Sequence, residues 1–112
     1  EYLGVDVPND AEGVLQDVHW SEGLFGYFPD YLLGSVLSVQ IWEAMLTEIP
    51  DLDEQIANGD LTGLRAWLGT HVHFSGSKFT PAETIERAAG GPLDPAPYLR
   101  YLEGKIGDLY GI

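Results

Sequence analysis

Gln16, Asp17 and His19, closed by Trp20, bring an amide, a carboxylate and an imidazole within five residues of one another. Tyr27 and Tyr31 follow, eight and twelve residues beyond His19, across a glycine- and aromatic-rich stretch from Gly23 to Pro29. These types suit one kind of work. An imidazole and a phenol can donate hydrogen bonds to an oxygen that gains negative charge during reaction. An amide such as Gln16 can hold a peptide backbone or brace the loop beneath the histidine. Each residue also has a plain structural reading. His19 could be a core histidine bonded to a carbonyl, the tyrosines could simply pack, and Trp20 reads as a packing anchor. Asp17 and His19 are two apart, so on a regular helix they point in different directions. They can meet only at a frayed end or a bend, and Asp17 is expected to cap a backbone or hold another part of a site.

A second set is less promising. His71 and His73 form an HxH pair, but on a helix they lie about 200° apart and cannot share an ion. Structural zinc sites take four ligands, and the chain has no Cys. No HExxH, no GxSxG and no glycine-rich phosphate loop occurs. A hydrolase built on Asp17 and His19 alone would lack a nucleophile in a recognisable setting. Glu43 sits among apolar residues and needs a partner if buried, unless it is exposed.

The elements that must position these groups all read as helices. Asn9 or Asp10 can cap a helix from about Ala11 to Trp20, and Tyr2, Leu3, Val5 and Val7 could end an earlier element. Ser21 to Pro29 is loop. Pro29 and Asp30 suit the start of a helix running to about Thr47. Its apolar residues go nearly all the way round, which places it in the middle of a larger body or an oligomer. Ile49-Pro50 stops it. Asp51 can cap a short helix ending near Asn58-Gly59, and Asp60 a next one ending near Gly76. Thr80-Pro81-Ala82-Glu83 is a capping box whose helix ends at Gly90-Gly91-Pro92. Asp94-Pro95 opens a last helix with a stripe of Tyr98, Leu102, Ile106 and Leu109. No strand-like alternation, repeat or low-complexity linker appears, so the predicted class is all-α.

Charge narrows the partners. The 112 residues hold 18 acids and 5 bases, a net charge of −13. All five bases, Arg65, Lys78, Arg87, Arg100 and Lys105, lie after position 64. Phosphate repels such a surface, so nucleic acid is not an expected partner. An anionic membrane is a poor partner on the same ground, and Gln40 and Glu43 interrupt the apolar run from Val36 to Met45, so it does not read as a membrane span. The acids read as a solvated face that keeps the chain soluble, as in proteins adapted to high salt, or as a patch for basic partners. The low lysine count fits a halophilic source. Absence of Cys fits a cytoplasmic protein. The chain begins at Glu1 without a signal-peptide pattern and reads as a single helical segment, 1–112, that is not obviously complete.

Gly13-Val14-Leu15-Gln16-Asp17-Val18-His19-Trp20 resembles the GxxQDxHW signature of the carboxypeptidase Taq family of zinc metallocarboxypeptidases. Phe25-Gly26-Tyr27-Phe28-Pro29, Tyr31 and Leu33-Gly34 look like that family's continuation. The tail, from Trp67-Leu68 through Val72-His73, Gly76, Thr80-Pro81, Gly91-Pro92-Leu93 and Tyr98 to Tyr110, is similar to its C-terminal end, so the resemblance covers essentially the whole chain. It implies the C-terminal portion of a larger, mostly helical enzyme that removes C-terminal residues from peptides bound in a groove between helical halves, often as a homodimer. It also implies zinc, or another divalent metal, held by an upstream HExxH helix and a further glutamate, where an upstream glutamate would activate metal-bound water. Those residues, and the arginine expected at the substrate carboxylate, are missing here, so no metal ligand is expected in this chain and the piece alone should be inert.

Within that resemblance His19 becomes a donor to substrate or oxyanion rather than a metal ligand. Distantly related helical zinc peptidases use a tyrosine in the same way. The downstream Gln40, Glu43 and Ala44 resemble the pattern that follows it there, which favours Tyr31 over Tyr27. Gln16 and Asp17 would shape the substrate pocket, and His73 falls at an H-x-x-G turn. The competing reading is a self-contained acidic helical module that binds a basic partner or scaffolds without catalysis.

Overall fold

In a computed structural model that describes residues 4–111, every regular element is helical and no strand forms among those residues. Tyr2 and Leu3, expected to end an earlier element, lie outside the described range. Two 3-10 turns, Asp10–Glu12 and Val14–Gln16, precede a single-turn helix α1 (Val18–Ser21). Then come α2 (Phe28–Glu48), α3 (Leu52–Ala57), α4 (Thr62–His71), a 3-10 turn His73–Ser75, α5 (Pro81–Ala89) and α6 (Ala96–Tyr110). Among the described residues no helix is long and apolar enough to cross a membrane. The chain forms two compact units, Glu1–Leu32 and Leu33–Ile112, and the division falls inside α2.

The first unit departs from its predicted helix. Asn9 caps as expected, its Oδ1 accepting from Glu12 N at 3.0 Å. The helix then fails to propagate, because Gly13 takes φ −119° and ψ −115° and Asp17 is extended. A Cβ at position 13 would lie 2.5 Å from Val7 Cγ1 and 3.3 Å from the Asn9 carbonyl oxygen. A side chain there would push the Val7 methyl aside and press on the Asn9 carbonyl. Two 3-10 turns and α1 replace the continuous helix.

The second unit holds the core. Met45, Leu52 and Trp67 are buried together, with Ile41, Trp42, Ile49, Ile56, Leu64 and Leu68 against them. Apolar burial of this kind stabilises by about 1.5–3 kcal/mol per large side chain. Helix ends follow local chemistry. Thr80 and Glu83 close both bonds of the capping box, Pro81 takes the first turn, and Gly90 ends α5 at φ 75°. Leu61, not Asp60, is the N-cap of α4; Asp60 lies one residue earlier and accepts from Thr62 N at 2.9 Å, as Asp94, before the N-cap Pro95, accepts from Ala96 N at the start of α6. Asp51 makes no cap bond; its carboxylate accepts from the Gln55 amide instead.

Helix α4 stops at His71 rather than near Gly76. The next residues, Val72, His73 and Phe74, are β-branched or aromatic and weak helix formers. On α6 the apolar stripe is covered only in part: Tyr98 and Leu102 are half-buried, Ile106 and Leu109 exposed. On α2 the all-round apolar reading holds for composition rather than burial. Val36, Gln40 and Met45 are buried, whereas Tyr31, Leu32 and Leu33 are exposed.

Candidate functional site

The extended conformation of Asp17, φ −86° and ψ 124°, places it just outside α1 as its N-cap. One carboxylate oxygen, Oδ1, then accepts twice from His19: from the backbone N–H at 2.8 Å and from ring Nδ1 at 2.8 Å. The bend that sequence periodicity made a condition for their meeting is therefore present, and Asp17 caps a backbone as well. The ring bond to His19, followed by the backbone bond to it, holds the Asp17 carboxyl below the usual carboxylate range.

The loop after α1 returns the chain to this pair. Leu24 N donates to the His19 carbonyl at 2.7 Å, and Gly23 and Gly26 take φ 70° and 81°, which side chains resist. Helix α2 then starts at Phe28 with Pro29 and Asp30 in its first turn. That delivers Tyr31, whose hydroxyl lies 2.9 Å from His19 Nε2. The imidazole is walled by rings, with Tyr27 stacked on it at 5.6 Å and Phe28 tilted at 4.8 Å. Trp20 packs on Phe25 and Phe28 at 5.3 and 5.8 Å, an anchoring contact despite its partial exposure. The Gln16 amide donates to the Ala11 carbonyl at 2.6 Å and braces the turn that leads to Asp17.

Asp17, His19 and Tyr31 thus form a continuous chain of hydrogen bonds. A carboxylate can only accept, so Nδ1 carries a proton. In the neutral ring Nε2 is then an acceptor, and the Tyr31 hydroxyl donates to it. The site is not sealed: the His19 side chain keeps 18% of its surface accessible and Tyr31 is 55% exposed. Of the two tyrosines, Tyr31 presents its hydroxyl to the imidazole and Tyr27 presents its face.

No metal donor set accompanies this cluster. Among the described residues no group of three or more His, Cys, Asp or Glu side chains could hold an ion. His71 stacks on Trp67 at 4.2 Å and lies 3.5 Å from a Glu48 carboxylate oxygen, while His73 sits exposed in the following 3-10 turn. Residues of this kind do not fit a catalytic metal, which needs three protein ligands facing one point.

Two residues matter in ways that sequence reasoning did not give them. Gly13, the first position of the signature, lets Val7 and the Asn9 carbonyl approach its Cα closely. Gln40, buried to 9% exposure, donates from Nε2 to the Pro92 carbonyl at 2.8 Å and accepts at Oε1 from Asp94 N at 3.0 Å. Its amide spans both faces of the turn into α6. A polar residue in a buried run was the available signal, but its partners lie 52 and 54 positions away. Glu43 is exposed and grips Arg100 at 2.7 and 3.0 Å, which gives it the partner it would otherwise need.

The sequence profile of the carboxypeptidase Taq (M32) metallopeptidases matches residues 1–106. Carboxypeptidase 1 of Bacillus subtilis is 39% identical over 110 residues, covering 98% of this chain and 22% of that protein. Thermostable carboxypeptidase 1 of Thermus thermophilus is 39% identical over 111 residues, covering 99% and 22%. The crystal structure of the M32 carboxypeptidase from Deinococcus radiodurans R1 superposes with a TM-score of 0.84 at 45% identity, over 98% of this chain and 22% of that one. The chain therefore spans about a fifth of the length of the relatives it matches.

Proposed function

Because this chain belongs to the carboxypeptidase Taq (M32) metallopeptidase family, we propose that it contributes the oxyanion-binding wall of an enzyme that removes C-terminal amino acids from peptides. The family implies a divalent metal; zinc is the proposed ion. The described residues offer it no donor set, so it would be held by other parts of the enzyme.

The chain's own part is electrostatic. As the carbonyl carbon of the last peptide bond becomes tetrahedral, its oxygen gains negative charge. Tyr31 has a single hydroxyl hydrogen, directed at His19 Nε2 before the reaction; it would turn that hydrogen to the oxygen as charge develops, the phenol staying beside the imidazole. A donor oxygen already held in position needs only this O–H rotation to stabilise such charge. Gln16 and Asp17 would shape the pocket floor, and Tyr27 would wall the imidazole. The exposed apolar side chains nearby, Val14, Leu15, Val18 and Phe25 among them, support a wall that faces more protein. A homodimeric, cytoplasmic enzyme completes the reading.

The observation that carries it is the 2.9 Å approach of the Tyr31 hydroxyl to His19 Nε2, on a tyrosine that is 55% exposed as a residue. Its test is Tyr31→Phe in the full-length enzyme, assayed on a short peptide. Turnover should fall on the order of 100-fold, with little change in KM, as for loss of one oxyanion donor. A wild-type rate removes Tyr31 from the site.

A further inference from the structure

We infer that Asp17 is a positioning residue that fixes which nitrogen of His19 carries the proton, and so fixes the nitrogen that faces Tyr31. The inference rests on the oxyanion-wall reading for its catalytic consequence, but its physical content stands on geometry within residues 17–31.

Asp17 Oδ1 accepts from the backbone N–H and from Nδ1 of the same residue, both at 2.8 Å. The two bonds make a small ring that ties the imidazole to the capped start of α1. If the ring turned over, a carbon would face the carboxylate and another would face the Tyr31 hydroxyl, so both ring bonds would be lost at once. Tyr27, Phe28 and Tyr31 surround the imidazole with centroids at 5.6, 4.8 and 5.7 Å, which further restricts rotation. The neutral ring is therefore held with hydrogen on Nδ1 and a lone pair on Nε2. That lone pair is what receives and orients the Tyr31 hydroxyl at 2.9 Å. A carboxylate that selects a histidine tautomer and holds its ring acts through the histidine and need not touch substrate.

Asp17→Ser isolates this role. Serine remains a good helix cap, so the backbone N–H of His19 keeps a partner. Its oxygen is too short to reach the ring as well. Asp17→Asn is the companion variant: the His19 N–H holds the amide oxygen in place, and that oxygen can still accept from Nδ1. The measurement uses the full-length protein with 15N-labelled histidine rings, the His19 signals being assigned by their loss in His19→Gln. At alkaline pH the wild type should show a protonated Nδ1 and an unprotonated Nε2. Asp17→Asn should keep that pattern. Asp17→Ser should move His19 toward the Nε2–H tautomer, with turnover lower by about 10- to 100-fold, the cost of losing a partner that orients a functional histidine, and with KM nearly unchanged.

The inference is overturned if wild-type His19 carries its proton on Nε2, or if Asp17→Ser leaves the ring pattern as in wild type. A tautomer change in Asp17→Ser with unaltered turnover supports the assignment of Asp17. Together with a wild-type rate in Tyr31→Phe, it would instead remove the oxyanion-wall reading.

Discussion

Residues 4–32 and residues 33–111 are held together by different physics. The second stretch has a dry centre in Met45, Leu52 and Trp67, and a buried amide, Gln40, that ties distant segments. In the first stretch no residue is fully buried. Its order comes from hydrogen bonds and ring contacts that span at most a dozen residues, with the Asp17–His19–Tyr31 chain at their centre. The groups able to do chemistry thus sit where little apolar burial supports them. Sites of this kind depend on a few directional contacts, so single-atom changes should matter for function there, while volume changes should matter for stability in residues 33–111.

The sharpest way to break that contrast is a pair of truncations. Leu52 is fully buried, so Leu52→Ala should lower the unfolding free energy by about 2–5 kcal/mol, the sum of lost transfer energy and a residual cavity. Val18, beside the catalytic candidates, is 60% exposed within these 112 residues, and in a protein of these residues alone Val18→Ala should stay within about 0.5 kcal/mol. Thermal denaturation of both variants reads the difference. Equal shifts would mean that the two regions share their stability. Leu52 is preferred to Trp67 here because the Trp67 Nε1 is buried without a hydrogen-bond partner among the described residues. Truncating that ring would mix a relief with a loss.

A smaller effect tests the polar clasp. Gln40→Leu keeps the volume and removes two bonds, each worth about 0.5–1.5 kcal/mol, so a loss of about 1–3 kcal/mol is expected. The distinctive readout is local. The Asp94 amide, which donates to Gln40 Oε1, should exchange its hydrogen faster, while the Leu24 amide, bonded to the His19 carbonyl, should not change. Unchanged protection at Asp94 would show that the turn into α6 holds its shape without Gln40.

The same contrast explains what could be read from the sequence. Thr80 to Glu83 was legible because a capping box is complete within four residues. The limits of α2 were legible to within a residue, since Pro29 can only begin a helix and Ile49-Pro50 can only end one. The grouping of His19 with Tyr31 was also within reach, because a glycine turn followed by a helix start brings them back together. The Asp17–His19 ring bond was not. It depends on Asp17 lying extended outside α1, and periodicity assumes a helix that Gly13 in fact interrupts. The Gln40 clasp was out of reach for another reason: nothing local in residues 36–45 points to Pro92 or Asp94. Family resemblance supplied the signature, but the reasons for its glycine and its aspartate are contacts made only in the folded chain.

The smallest effect concerns acid. Asp17, Asp60 and Glu83 each accept from a backbone N–H at a helix start, and each carboxyl is held below its ordinary range. A lowered folded-state value means that the stabilisation is complete above the unfolded carboxylate value, about 4, and fades as pH falls through the folded one. All three helix starts should therefore loosen only in acid below that range. Their causes differ in a way that separates the two regions. For Asp60 and Glu83 the backbone bonds, to Thr62 and Thr80, dominate. For Asp17 the His19 ring comes first and the backbone second. Replacing the ring, as in His19→Gln, should therefore raise the Asp17 titration part of the way back toward an ordinary carboxyl and leave the other two where they were. Carboxyl 13C shifts followed through an acid titration would show it. If Asp17 titrates alike in both proteins, its backbone cap alone sets the value, and the first region is held by the same local bond as the helix starts of the second.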